Sequence, residues 1–97
     1  MENMIIWNIN GTGQKKCNCG SWFKHWEKFS EQTATFCPVI NCLEVDLEGA
    51  HVQRNGSEDK NWYIFPLCRI HNADKGHSLE VSDLYKLVSA NISETCG

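Results

Sequence analysis

No stretch of this sequence is apolar for long enough to span a bilayer. Its first 20 residues, MENMIIWNINGTGQKKCNCG, lack the basic start and long apolar core of a secretory leader. These absences argue against a membrane protein and lead to an expected intracellular location, cytoplasmic or nuclear. The sequence also lacks a basic excess: 9 lysines and arginines face 12 aspartates and glutamates, for a net charge of −3. A strong, phosphate-driven affinity for nucleic acid is therefore disfavoured, although a local basic patch is not. No repeat and no low-complexity segment is present. At 97 residues the chain is read as one domain, 1–97. A chain this short buries only about two-thirds of its unfolded surface, so its core needs a staple.

What the sequence does have is six cysteines and four histidines. In a reducing compartment, paired cysteines bind metal more often than each other. The rival is a secreted, disulfide-rich module. The sequons at Asn10, Asn55 and Asn91 would matter only in that case.

Met4 to Ile9 reads as a strand, broken by Gly11 to Gly13. Ser21 is placed to cap a helix over Trp22–Phe29, in which Trp22, Trp26 and Phe29 form an apolar stripe. Cys37 to Cys42 forms a tight loop. The run from Gly49 to Arg54 reads as a strand, Asn55 to Lys60 as a turn, and Trp62–Phe65 as a strand that Pro66 ends. Leu67 to Ala73 opens a short helix stopped at Gly76. Ser82 or Asp83 then caps a last short helix through Leu87, with a strand over Tyr85 to Asn91 as the alternative.

Two ligand pairs bracket the hairpin: Cys37-x4-Cys42 and Cys68-x2-His71. Each spacing lets two side chains turn toward one point, and zinc favours four such ligands in a tetrahedron. A ligand loop, a hairpin and a ligand pair at the start of a helix make the treble-clef layout. The reading is a small α+β zinc-stapled domain with that core over about 37–76 and an N-terminal helix. Four protein ligands leave no open coordination position, so this zinc is structural.

The run CPVINC … GAHVQ … WYIFPLCRIHNADK, 39 of 97 residues from Cys37 to Lys75, resembles the zinc-containing HNH (His-Me finger) endonucleases. The resemblance implies a treble-clef, or ββα-metal, core. It also implies a histidine on the first hairpin strand that activates water against a DNA phosphate, and a catalytic Mg²⁺ or Mn²⁺ between that histidine and the following helix. His51 stands at the general-base position, and Asn72 stands where the helix usually offers a histidine. Ala50 replaces the frequent metal-binding aspartate before the base. Tyr63 replaces the middle asparagine, with Asn61 nearby, and His71 replaces a cysteine ligand. Asp74 and His77 lie just beyond Asn72.

These departures favour a non-catalytic or weakly catalytic zinc module that binds nucleic acid or a protein partner. The alternative is an active metal-dependent DNA endonuclease with His51 as base.

A second cluster, Cys17, Cys19, His25 and Cys96, is a candidate for a second zinc; a Cys19–Cys96 disulfide and free thiols are its rivals. Lys15, Lys16, Lys24 and Lys28 interleave with Trp22, Phe23 and Trp26. That pattern suits either single-stranded nucleic acid or a core stripe beside a solvated face.

Overall fold

The computed structural model describes residues 3–8, 21–54, 61–73 and 78–90. Along the chain run β1 (Asn3–Asn8), α1 (Trp22–Ser30), β2 (Leu47–Arg54), β3 (Tyr63–Cys68), α2 (Arg69–Ala73), β4 (Ser78–Ser82) and β5 (Val88–Ser89). The strands form one sheet in the order β4-β1-β2-β3-β5, antiparallel throughout. The architecture is therefore α+β.

Helix α1 begins as its sequence suggests. Ser21 is extended, and its side chain accepts the Lys24 amide at 3.1 Å. The helix ends at Glu31, whose φ of 58° cannot continue it. A helix of 9 residues is marginal in water, so packing must hold it. Trp26 supplies much of that packing. It is fully buried, meets the Tyr85 ring edge-on at 5.5 Å, and donates its indole N–H to the Lys86 carbonyl at 2.7 Å. Phe29, expected in the same stripe, is partly exposed beneath the Lys28 ammonium instead.

Directly paired residues in an antiparallel sheet share a face. Asn8 pairs with Val52, Ala50 with Phe65, Glu48 with Leu67, Ile6 with Leu79 and Met4 with Val81. On this face Ile6, Ala50, Val52, Phe65, Leu67 and Val81 are fully buried, and they share the core with Trp26, Ile64, Tyr85 and Val88. The other face carries Gly49 and His51, and the first turn of α1 sits on it. A Cβ on Gly49 would lie 2.4 Å from the Trp22 carbonyl carbon, so only glycine lets the helix approach this closely.

Pro66 does not end β3; it lies inside the strand, opposite Gly49. The ladder explains why. The Arg69 amide donates to the Asp46 carbonyl, so odd-numbered positions of β3 face β2 and even-numbered ones face outward. The Trp62 carbonyl accordingly accepts from Ala90 on the outer side. Because β5 pairs only with Tyr63 and Ile64, the missing N–H of Pro66 points where no strand needs it.

The C-terminal part differs from its expected helix. Ser82 closes β4 and accepts the Leu84 amide at 3.2 Å, a turn follows, and the chain enters β5. The strand alternative holds for Val88 and Ser89. The expected stop at Gly76 lies outside the described residues.

The loop at Cys37 to Cys42 reaches both sides of the sheet. The Pro38 carbonyl accepts the Ser82 amide, and the Ile40 amide donates to Glu80, so the loop lines the outer edge of β4. Cys37 Sγ accepts the outward-pointing Cys68 amide at the end of β3. In a flat sheet β4 and β3, three strand spacings apart, would be separated by about 14 Å. One short loop touches both, so the sheet curls and folds its apolar face inward. The same loop protects the β4 edge from pairing with another chain.

Candidate metal centre

The centre begins with a local turn. Asn41 adopts a left-handed conformation, φ 68°, which asparagine tolerates better than most residues. The Cys42 amide reaches back to the Val39 carbonyl at 2.9 Å. Both Cys37 and Cys42 then face the end of β3. Cys68 closes that strand and His71 lies three residues on, within α2, which places the two on one helical face.

The ligand atoms of Cys37, Cys42, Cys68 and His71 all lie within 4.8 Å of one another. Cys42 Sγ and Cys68 Sγ are 3.9 Å apart. His71 Nδ1 is 3.7 Å from Cys37 Sγ and 3.2 Å from Cys68 Sγ. A tetrahedral zinc with ordinary bond lengths sets sulfur–sulfur separations of about 3.8 Å and sulfur–nitrogen separations of about 3.5 Å. The cage therefore fits zinc, with Nδ1 as the imidazole ligand. The sulfur–sulfur distance is nonbonded, roughly twice a disulfide length.

The surroundings suit thiolate ligands. Cys37 Sγ accepts the Cys68 amide and Cys68 Sγ accepts the His71 amide, each at 3.4 Å, as bound thiolates commonly do. Burial pushes the Cys37 thiol up to about 12, against the opposing pull of the Cys68 amide. In so dry a position, a bound dication supplies the charge that favours the thiolate. Three thiolates and an imidazole are a soft donor set of the kind zinc takes.

The proposed catalytic pair is arranged differently. His51 is buried on the α1 face, with its ring edge-on to Trp22 at 4.7 Å. Asn72 donates its side-chain amide to Glu48 Oε1 at 2.7 Å. Glu48 and His51 are three residues apart on a regular strand, so their side chains point to opposite faces. The fold does not bring His51 and Asn72 together. Tyr63 lies directly across from Val52, Asn61 is exposed, and Ala50 is buried in the core. Asp74 and His77 lie outside the described residues.

Of the second cluster, Cys17, Cys19 and Cys96 lie outside the described residues. His25 is fully buried, packs against Trp22 and Phe29, and donates from Nε2 to the Ser89 carbonyl at 2.9 Å. In the basic-aromatic segment, Trp26 is core, Trp22 is half-buried, and Lys24 and Lys28 are exposed. Lys15 and Lys16 are outside the described residues.

One residue that sequence reading passed over belongs to the centre. Asn8, fully buried at the end of β1, donates its side-chain amide to the His71 carbonyl at 2.9 Å and the Asn72 carbonyl at 3.1 Å. It ties the ligand-bearing helix to the middle of the sheet. The only available signal was a polar residue in register with Met4 and Ile6 on the inward side of β1.

No described helix is long and apolar enough to cross a membrane. No protein-family model, curated protein or solved structure matches the chain.

Proposed function

We propose that this chain is a zinc-stapled, HNH-like treble-clef module that binds a macromolecular partner, nucleic acid or protein, and is non-catalytic or weakly catalytic. One observation carries the reading: four ligand atoms from the loop, the last residue of β3 and α2 converge within 4.8 Å. The order of loop, β2–β3 hairpin and helix supports the treble-clef assignment. Zinc held by Cys37, Cys42, Cys68 and His71 supplies the clasp that a small core lacks. The ligand set is complete, so this centre stabilises and does not activate water. The buried packing of His51 and its separation from Asn72 support a scaffold without nuclease chemistry, which would need a divalent cation beside the base.

The test is zinc per chain by elemental analysis, paired with plasmid nicking in Mg²⁺ or Mn²⁺ for wild type and His51→Ala. The expected result is bound zinc and no cleavage that depends on His51. Less than one zinc per chain overturns the module; cleavage abolished in His51→Ala with zinc retained makes it a nuclease.

A further inference from the structure

The three sulfurs of the cage differ in their surroundings. Cys37 is fully buried and Cys68 nearly so, at 1% exposure, whereas Cys42 is half-buried. Cys37 Sγ accepts the Cys68 amide, and Cys68 Sγ accepts the His71 amide. No amide of a described residue donates to Cys42 Sγ, and Cys68 Sγ lies 3.9 Å from it. An amide hydrogen bond stabilises a thiolate and so lowers its nucleophilicity. Cys42 is therefore the most accessible of the three sulfurs and the one least stabilised by amides. Oxidation of cysteine follows exposure and thiolate character.

The backbone also lets Cys42 move. From Cys42 to Asp46 the chain has no regular structure, and Leu43 and Val45 are exposed, so a shift there unpacks little. Bringing Cys42 Sγ to bonding distance of Cys68 Sγ requires a shift of about 2 Å. Cys37 is held more firmly: its amide donates to the Glu44 carbonyl and its sulfur accepts the Cys68 amide.

We infer that Cys42 and Cys68 form a redox pair, which a peroxide converts to a disulfide that opens the metal clasp. The Cys42 thiolate attacks one peroxide oxygen and the O–O bond breaks, giving a sulfenic acid and hydroxide. The Cys68 thiolate then attacks the Cys42 sulfur, the S–S bond forms, and the second oxygen leaves as hydroxide. Two protons from solvent convert both hydroxides to water. The two sulfurs have lost two electrons and the peroxide has gained them. Of the four donors, Cys37 and His71 remain, too few for a tetrahedral site.

The disulfide still ties the loop to the end of β3. Asn8 still holds α2 through the His71 and Asn72 carbonyls. The ligands therefore stay near one another, and a thiol reductant, by returning two electrons, restores the cage. The inference rests on the zinc-clasp reading.

The test is hydrogen peroxide added to the full zinc-loaded chain. A colorimetric chelator reads zinc release. Peptide mass spectrometry, after alkylation of free thiols, locates each disulfide. A Cys42–Cys68 disulfide that forms in step with zinc release is expected, with both reversed by a thiol reductant and added zinc. Cys42→His removes the thiol but keeps a donor, so the zinc-loaded variant should retain its metal at the same peroxide dose. Where that variant binds no zinc, the disulfide map of the wild type decides.

Pairing of Cys42 or Cys68 with any other cysteine, oxidation of Cys42 to a sulfinic acid without a disulfide, or release unchanged in Cys42→His overturns the pair. In each of those cases, zinc bound before peroxide leaves the zinc module standing. A chain purified without zinc removes the module and the clasp with it.

Discussion

The Cys68 amide donates to Cys37 Sγ at 3.4 Å, at the outward-facing position where β5 no longer reaches β3. A side-chain sulfur thus takes over from a strand. The same cysteine begins the loop that lines β4 at the opposite edge of the sheet. The candidate metal cage and the closure of the sheet therefore share one residue, Cys37.

The first consequence concerns the metal ligands. Cys37→Ser retains nearly the same shape but removes a thiolate. It should lose at least tenfold in zinc affinity and melt well below wild type. Treating the wild type with a chelator should produce the same shift. Elemental analysis and thermal circular dichroism check this; a variant that keeps both zinc and melting temperature would show that the cage is not the clasp.

Asn8 should matter without touching the metal. Asn8→Ala leaves the His71 and Asn72 carbonyls without their buried donor, at a cost of about 1–3 kcal/mol. The zinc ligands remain, so stoichiometry should hold while zinc transfer to a competing chelator accelerates. Asn8→Asp should be worse, because it sets a carboxylate oxygen against the two carbonyl oxygens that the amide nitrogen now satisfies. Urea unfolding and chelator kinetics read both effects.

Gly49→Ala tests how α1 is seated. The added Cβ would lie 2.4 Å from the Trp22 carbonyl carbon, and backbone on both sides resists the shift. Destabilisation of about 1–3 kcal/mol is expected, of the size seen for overpacked cores. Displacement of the helix should also change the environment of Trp22 over His51, readable in tryptophan fluorescence. Equal stability of variant and wild type in urea would refute the close approach.

Local chemistry made a good part of this fold legible. Ser21 before Trp22 announced a helix start because a hydroxyl can accept the amide three residues on. Spacing alone picked out Cys37, Cys42, Cys68 and His71, and the chain brings those four side chains together. Strand β4, by contrast, was not foreseen. Its five residues alternate weakly, and it is held by β1 from the distant start of the chain. Pro66 misled for a related reason: its ring forbids a donor, but whether a donor is needed depends on how far β5 extends along β3.

The sequence by itself determined the ligand types, the hairpin between them, the capped helix and the acidic balance of the chain. Each follows from a residue's own chemistry or from neighbours a few positions away. Only the tertiary structure decided that His51 packs beneath Trp22 while Asn72 turns to Glu48. It also decided that the Cys37 loop bridges two distant strands. Strand pairing and the placement of helices set which face a side chain occupies. Those contacts join residues tens of positions apart, where spacing carries no information about orientation.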